Sequence, residues 1–152
     1  MTQASRSGTD AVAEISGQLN DMLRQVKYLH TEAAARVGER VELPAAGVLG
    51  VLKDHGEVRM STLADILRLD LSSVSRQVAS LERLGWVGRQ RDPQDQRASL
   101  LRLTPAGLSI IQQFRLERTT ILREVFDDWS PEALAAFADA LDRFTTGLAG
   151  RQ

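Results

Sequence analysis

Residues 61–104 read STLADILRLDLSSVSRQVASLERLGWVGRQRDPQDQRASLLRLT, and this stretch decides the fold. Its pattern divides into a short helix, a turn of about four to five residues, a second helix, and two apolar-alternating segments around a charged tip marked by Pro93. A second helix after a tight turn, followed by a hairpin, is the outline of a winged helix-turn-helix. In such a unit the first helix braces, the second presents side chains, and the hairpin reaches to one side.

In the second helix, Leu71, Val74, Val78, Leu81 and Leu84 recur every three or four residues, so most of them share one face and fix the helix to a core. The opposite side carries Ser72, Arg76 and Arg83, with Ser73 and Ser80 at its margin. Ser75 and Gln77 flank the stripe, and Glu82 is the only acid in this helix. Arginine bridges guanine acceptors or a phosphate, while serine and glutamine donate to phosphates or read adenine. These residue types suit double-stranded DNA. Ser72 is also placed to cap the helix N-terminus, where free N–H groups and the positive dipole end favour a phosphate. Taken alone, the pattern equally fits an ordinary solvated face in an αα-hairpin.

The hairpin weighs towards DNA. Gly85 ends the second helix, as a residue tolerant of the left-handed region commonly does. Trp86–Arg91 and Ala98–Leu103 then read as two short strands, with Val58-Arg59-Met60 as a candidate third. Between the two strands, Asp92-Pro93-Gln94-Asp95-Gln96-Arg97 supplies turn chemistry: proline fixes φ and the aspartates bond nearby backbone. Arg89, Arg91, Arg97 and Arg102 concentrate positive charge on this hairpin, and Asp95 is placed to hold Arg97 extended.

Segment 43–107 resembles the MarR family of bacterial winged-helix regulators. The resemblance is carried by LPAAGVLGVLKDHG, by STLADILRLDLSSVSRQVASLERLGWVGR and above all by DPQDQRASLLRLTPAG. The family's wing typically reads D-P-x-D-x-R, then an apolar stretch and L-T-x-x-G. Asp92, Pro93, Asp95, Arg97, Leu103, Thr104 and Gly107 fall on that pattern, whereas Gln96 departs from the arginine many members carry. The resemblance implies a homodimer on a pseudo-palindromic operator, with recognition helices in successive major grooves. It places Arg97 in the adjacent minor groove. The DNA-contacting set is therefore Ser72, Ser73, Ser75, Arg76, Gln77, Ser80, Arg83, Arg89, Arg91, Asp95 and Arg97. Regulation by repression is the commonest mode in the family.

Composition sets the outer bounds. At 152 residues and 43% hydrophobic content, the chain is long enough for one domain with a real core. It has no run of about eighteen apolar residues and no basic-then-apolar start, so neither a membrane span nor a secretory signal is expected. Cysteine is absent, which fits a cytoplasmic protein and excludes the thiol-oxidation switch of one branch of the resembled family. The net charge of −1 argues against a general nucleic-acid coat. Its distribution is uneven: residues 71–104 carry 6 basic and 3 acidic side chains, whereas acids outnumber bases on both flanks. A local patch on a near-neutral body supports specific phosphate contacts and limits indiscriminate ones.

The flanks read as helices for dimerisation. Val12, Ile15, Leu19, Met22, Val26 and Leu29 alternate spacings of three and four, a narrow seam suited to one partner helix. Thr104-Pro105 and Ser130-Pro131 each give an N-cap followed by proline in the first turn. The first of these helices runs to about Trp129. The second presents Leu134, Phe137, Leu141, Phe144 and Leu148 on one face. The expected layout is a disordered tail over residues 1–9, a dimerisation helix over 10–36, the winged helix-turn-helix over 37–104, and C-terminal dimerisation helices over 105–152. All of this forms one structural domain, mainly α with a small antiparallel β-wing. Interleaving with a second copy is favoured over an intramolecular bundle.

Other chemistry finds little support. There is no nucleophilic cysteine, no glycine-rich phosphate loop and no dense ligand cluster, so no enzyme, metal or cofactor is expected. A small-molecule pocket is more plausible. Arg24, Tyr28 and His30 beside Met22, Leu23 and Leu29 suit a small aromatic or amphiphilic effector, with interface packing as the alternative. The rival function is a winged-helix protein-interaction module without operator binding. The exposed residues of 72–83 are polar and cationic rather than apolar anchors, which speaks against it.

Overall fold

The computed structural model describes residues 8–38, 41–95 and 98–151. In chain order they form helices α1 (Gly8–Val37) and α2 (Leu43–His55), strand β1 (Val58–Arg59), helices α3 (Met60–Leu67) and α4 (Leu71–Arg83), strands β2 (Val87–Arg91) and β3 (Ser99–Leu103), and helices α5 (Pro105–Val125) and α6 (Pro131–Ala149). This is the mainly helical fold with a small antiparallel sheet that the sequence predicts. Helix α1 starts at Gly8, inside the expected tail, and residues 1–7 of that tail lie outside the described residues. The chain divides into two compact units, one through Arg118 and one from Thr119 onward, so the division falls within α5.

The first unit is built on the helix-turn-helix. Pro44 sets the first turn of α2, and Gly56, at φ +75°, ends it by returning its N–H to the Leu52 carbonyl. Val48, Leu49 and Leu52 of α2, Leu63 of α3, and Val74, Val78 and Leu81 of α4 are all buried where the three helices meet. Each such side chain contributes about 1.5–3 kcal/mol relative to exposure. Leu71 and Leu84, which the spacing assigns to the same stripe, are instead 54% and 53% exposed. They stand at the first residue and the C-cap of α4, so a periodicity that treats the helix as endless overcounts its buried face.

The turn between α3 and α4 is shorter than expected, only Arg68 to Asp70. Arg68 takes the left-handed conformation, φ 54° and ψ 42°, and its N–H returns to the Ala64 and Asp65 carbonyls. The chain therefore reverses at once, at a cost of roughly 1–2 kcal/mol for a non-glycine residue in that region.

The sheet runs β1-β3-β2, with Val58 opposite Leu101 and Val87 opposite Leu103. Val58 and Arg59 supply the third strand, while Met60 already belongs to α3. Gly85 has φ +74°, as its place after α4 requires. Trp86 behind it is buried. The Thr104 N–H donates to the Trp86 carbonyl at 3.0 Å. The Thr104 hydroxyl donates to the Gly85 carbonyl at 2.6 Å and accepts the Gly107 N–H at 3.1 Å, capping α5. A Cβ on Gly107 would lie 2.0 Å from the Trp86 oxygen. Only glycine lets α5 start this close to the turn that follows α4.

Helix α5 ends at Val125, short of the expected Trp129, because Phe126–Trp129 turn and the Trp129 N–H bonds the Phe126 carbonyl. In the second unit the rings of Phe126, Trp129 and Phe137 gather with centroids 5.1–6.0 Å apart. Ser130 caps α6 by accepting the Ala133 N–H at 3.1 Å, and Pro131 follows in the first turn. No described residue of α6 is buried in the single chain. Phe137 and Leu141 are exposed, and Leu134 and Phe144 are half-buried. On α1, Val12, Ile15, Met22 and Val26 are exposed and Leu19 is half-buried, so both predicted apolar stripes lie open.

Candidate nucleic-acid interface

Helix α4 carries the polar face its sequence predicts. Ser72, Ser75, Arg76 and Arg83 are exposed, and Ser73, Gln77 and Ser80 are half-buried beside the stripe. Its N-terminus is capped by Asp70, not by Ser72. The Asp70 carboxylate accepts the Ser73 N–H at 2.8 Å and the Ser72 hydroxyl. Those bonds, that from the Ser72 side chain foremost, hold the Asp70 carboxyl well below the usual carboxylate range. Arg76 Nη2 donates in turn to Ser73 Oγ at 3.1 Å. A carboxylate thus occupies the position that the sequence pattern offers as a free phosphate site, and it pre-sets Ser72 and Ser73. The signal for it is an aspartate directly before the periodic run, an N-cap pattern in its own right.

Among the described residues, the wing arginines Arg89, Arg91 and Arg102 do not form one patch. Successive side chains of a strand alternate faces, so Arg89 and Arg91 share a side with Val87, whereas Arg102, opposite Gly88, lies on the other. Arg89 is further committed to Glu82 of α4, Nε to Oε1 at 2.7 Å and Nη2 to Oε2 at 3.2 Å. The side chains of Arg91 and Arg102 are exposed and make no hydrogen bond or ion pair among the described residues.

At the wing's base Asp92 is buried and fully engaged. It accepts the Gln94 N–H at 2.8 Å and the Arg59 Nε and Nη2 groups at 2.7 and 2.5 Å. The Gln94 amide and then Arg59 hold its carboxyl below the usual range. Gln90 Nε2 also donates to Glu57, a second tie between the hairpin and the approach to β1. Neither Arg59 nor Glu57 was legible as a wing brace, because each is separated from its partner by 33 positions. At the tip, Asp95 is exposed and its carbonyl accepts the Ala98 N–H at 2.9 Å. Gln96 and Arg97 lie outside the described residues.

The three expected effector residues are not brought together. Arg24 is exposed and paired with Asp21, and Tyr28 is exposed. His30 is buried, its ring 4.6 Å from that of Phe114 and its Nε2 2.9 Å from the Val41 carbonyl oxygen. A carbonyl only accepts, so Nε2 carries the hydrogen. His30 instead borders a mainly apolar cleft of about 450 Å³ with Lys27, Thr31, Ala34, Val41 and Leu43. Tyr28 lies two positions from His30 on a helix, which places the two side chains on different faces. Among the described residues, no cluster of His, Asp or Glu is gathered to hold a metal ion, and no helix is long and apolar enough to cross a membrane.

Comparison with known proteins bears on these surfaces. The sequence profile of the MarR family matches residues 41–98, from the approach to α2 through the wing tip. YxaD of Bacillus subtilis (strain 168), described as an uncharacterized HTH-type transcriptional regulator, is 33% identical over 132 residues, covering 85% of this chain and 89% of its own. Among solved structures, RV1404 from Mycobacterium tuberculosis is similar with a TM-score of 0.79 and 26% identity, covering 100% of both chains. The PcaV transcriptional regulator from Streptomyces coelicolor, solved in complex with its natural ligand, is similar with a TM-score of 0.64 and 27% identity, covering 86% of this chain and 91% of its own.

Proposed function

The chain belongs to the MarR family of transcriptional regulators, and from that premise we propose that it acts as a homodimer on a pseudo-palindromic operator, as a repressor released by a small-molecule effector. The observation that carries this reading is the pairing of two exposed cationic surfaces. Ser72, Ser75, Arg76 and Arg83 are exposed on α4, and Arg91 is exposed on β2, a strand that packs against α4, with its cation unengaged among the described residues. Helix α4 enters the major groove, and the wing follows the backbone. Arg97 takes the minor-groove contact that the family resemblance implies. No aromatic anchor lies on the exposed face of α4, which disfavours a protein-docking role.

Dimerisation uses the open stripes: Val12, Ile15, Leu19, Met22 and Val26 on α1, and Leu134, Phe137, Leu141 and Phe144 on α6. Apolar rows of this length are seldom left to water, and a second copy covers them most simply. The effector is a small aromatic or amphiphilic molecule in the cleft bordered by Lys27 and His30, whose apolar walls and few polar groups suit it. The ligand complex of PcaV supports an effector site on this fold.

The test is selection of bound fragments from random double-stranded DNA. A two-fold symmetric consensus with half-sites about one helical turn, roughly 34–36 Å, apart is expected. Failure to enrich any sequence would remove operator binding from the account.

A further inference from the structure

We propose that Glu82 is a positioning residue for the wing, and that Arg89 is a strut between α4 and β2 rather than a contact to the DNA backbone. The inference rests on the DNA-binding reading above. By sign and exposure Arg89 looks like a phosphate ligand. Its guanidinium is nevertheless engaged by both oxygens of Glu82, at 2.7 and 3.2 Å. A two-point grip between a planar fork and a carboxylate fixes direction as well as distance. The side chains are 41% and 29% exposed, so solvent screening leaves the pair little direct weight in the stability of the fold. Its consequence lies in geometry.

The two elements it joins carry the exposed cations on either side, Arg76 and Arg83 on α4 and Arg91 on β2. Glu82 is in the last turn of α4, and Arg89 precedes Arg91 by two positions, on the same face of the strand. Gripping Arg89 therefore sets how far Arg91 stands from the recognition helix. The same grip neutralises one cation on that side. A free cation strengthens attachment to any phosphate, whereas a fixed spacing rewards only DNA whose grooves match it. Glu82 thus exchanges indiscriminate affinity for discrimination.

The experiment uses the full chain, a duplex selected from random DNA, and a random-sequence duplex of equal length, each titrated across a salt series. Arg91→Ala is expected to flatten the salt dependence by about 0.9 in slope for each phosphate that the arginine neutralises. Arg89→Ala leaves the slope unchanged and weakens only the selected duplex. Glu82→Ala keeps α4, since alanine is the strongest helix former, and releases Arg89. It raises affinity for the random duplex about three- to tenfold at low salt, steepens the slope by about 0.9 for each phosphate that the freed arginine reaches, and narrows discrimination. That gain disappears in the Glu82→Ala, Arg89→Ala double variant, because Glu82 acts through Arg89. A slope change for Arg89→Ala equal to that for Arg91→Ala overturns the proposal, as does undiminished discrimination in Glu82→Ala. If the wild-type chain binds neither duplex, the DNA-binding reading falls and takes the proposal with it. The wild-type titration therefore separates the two failures.

Discussion

Arg59 and Asp92, 33 positions apart, close the base of the wing: Arg59 Nε donates to Asp92 Oδ2 at 2.7 Å, and the buried carboxylate also accepts the Gln94 amide. The contact ties the strand that precedes α3 to the end of β2, so the hairpin cannot swing independently of the helix-turn-helix. A buried acid is costly unless its lone pairs are met, and here they are met from both sides.

Asp92→Asn is expected to lower the melting temperature and to speed hydrogen exchange in β2 and β3. The acid's titration gives a second readout. The folded state holds this carboxyl below its ordinary value of 3.8, so its ionised form favours the fold. That contribution is complete above the ordinary value and is lost as pH falls through it towards the depressed one. The stability difference between wild type and Asp92→Asn should therefore shrink under acid. A difference that grows as pH falls would show that the carboxylate is not what braces the wing.

Gly107→Ala should destabilise the chain by about 1–3 kcal/mol or more, since the added methyl meets a backbone carbonyl that cannot rotate away. Chemical denaturation reads this directly. An unchanged midpoint would mean that α5 shifts freely against the Trp86 turn.

Arg76→Ala separates base reading from backbone attachment. A base contact predicts a loss of about 1–3 kcal/mol on the selected duplex with relaxed preference at one position per half-site. The hydrogen bond from Arg76 to Ser73 aims the guanidinium along the exposed face of α4 and favours this outcome. Equal losses on selected and random duplexes would assign Arg76 to a phosphate.

Leu19→Glu combined with Val26→Glu places two charges in the open stripe of α1. Sedimentation should show loss of the dimer, and operator binding should weaken because a single half-site forfeits the gain from tethering. A dimer that survives both charges would move the interface to α6.

An effector must bind the released conformation more tightly than the DNA-bound one, and that difference sets how far it shifts the equilibrium. A small aromatic acid is expected to raise the melting temperature of the free chain and to lower its operator affinity. Lys27→Ala should blunt both effects, since among the described residues Lys27 is the cation bordering the cleft. Thiol oxidants should do nothing, as the chain has no cysteine. If stabilising compounds leave operator affinity unchanged, the cleft is not a control site.

The local grammar of this protein was legible at once. Gly85 announces its positive φ, Ser130-Pro131 its helix start, and the alternation around Asp92-Pro93 its hairpin, because each signal acts within a few residues on backbone that those residues themselves constrain. The apolar spacing of 74, 78 and 81 likewise named the buried face of α4. Where neighbours in sequence compete for one role, the pattern misleads. Asp70 and Ser72 both suit an N-cap; the helix begins at Leu71, so Asp70 holds that position and its Oδ1 accepts both the Ser73 amide and the Ser72 hydroxyl.

Sequence by itself determined which segments are helix and strand, which faces are apolar, and that cations gather between positions 76 and 102, since these follow from local sterics and from the periods of the backbone. Tertiary structure alone decided which of the chain's arginines are available. Arg59 is spent on Asp92, Arg89 on Glu82 and Arg115 of α5 on Asp54 of α2, while Arg91 and Arg102 remain exposed on opposite faces of the hairpin. A charge is fixed by its residue, but its pairing depends on which distant segment folding brings within about 3 Å of it, and no spacing along the chain records that distance.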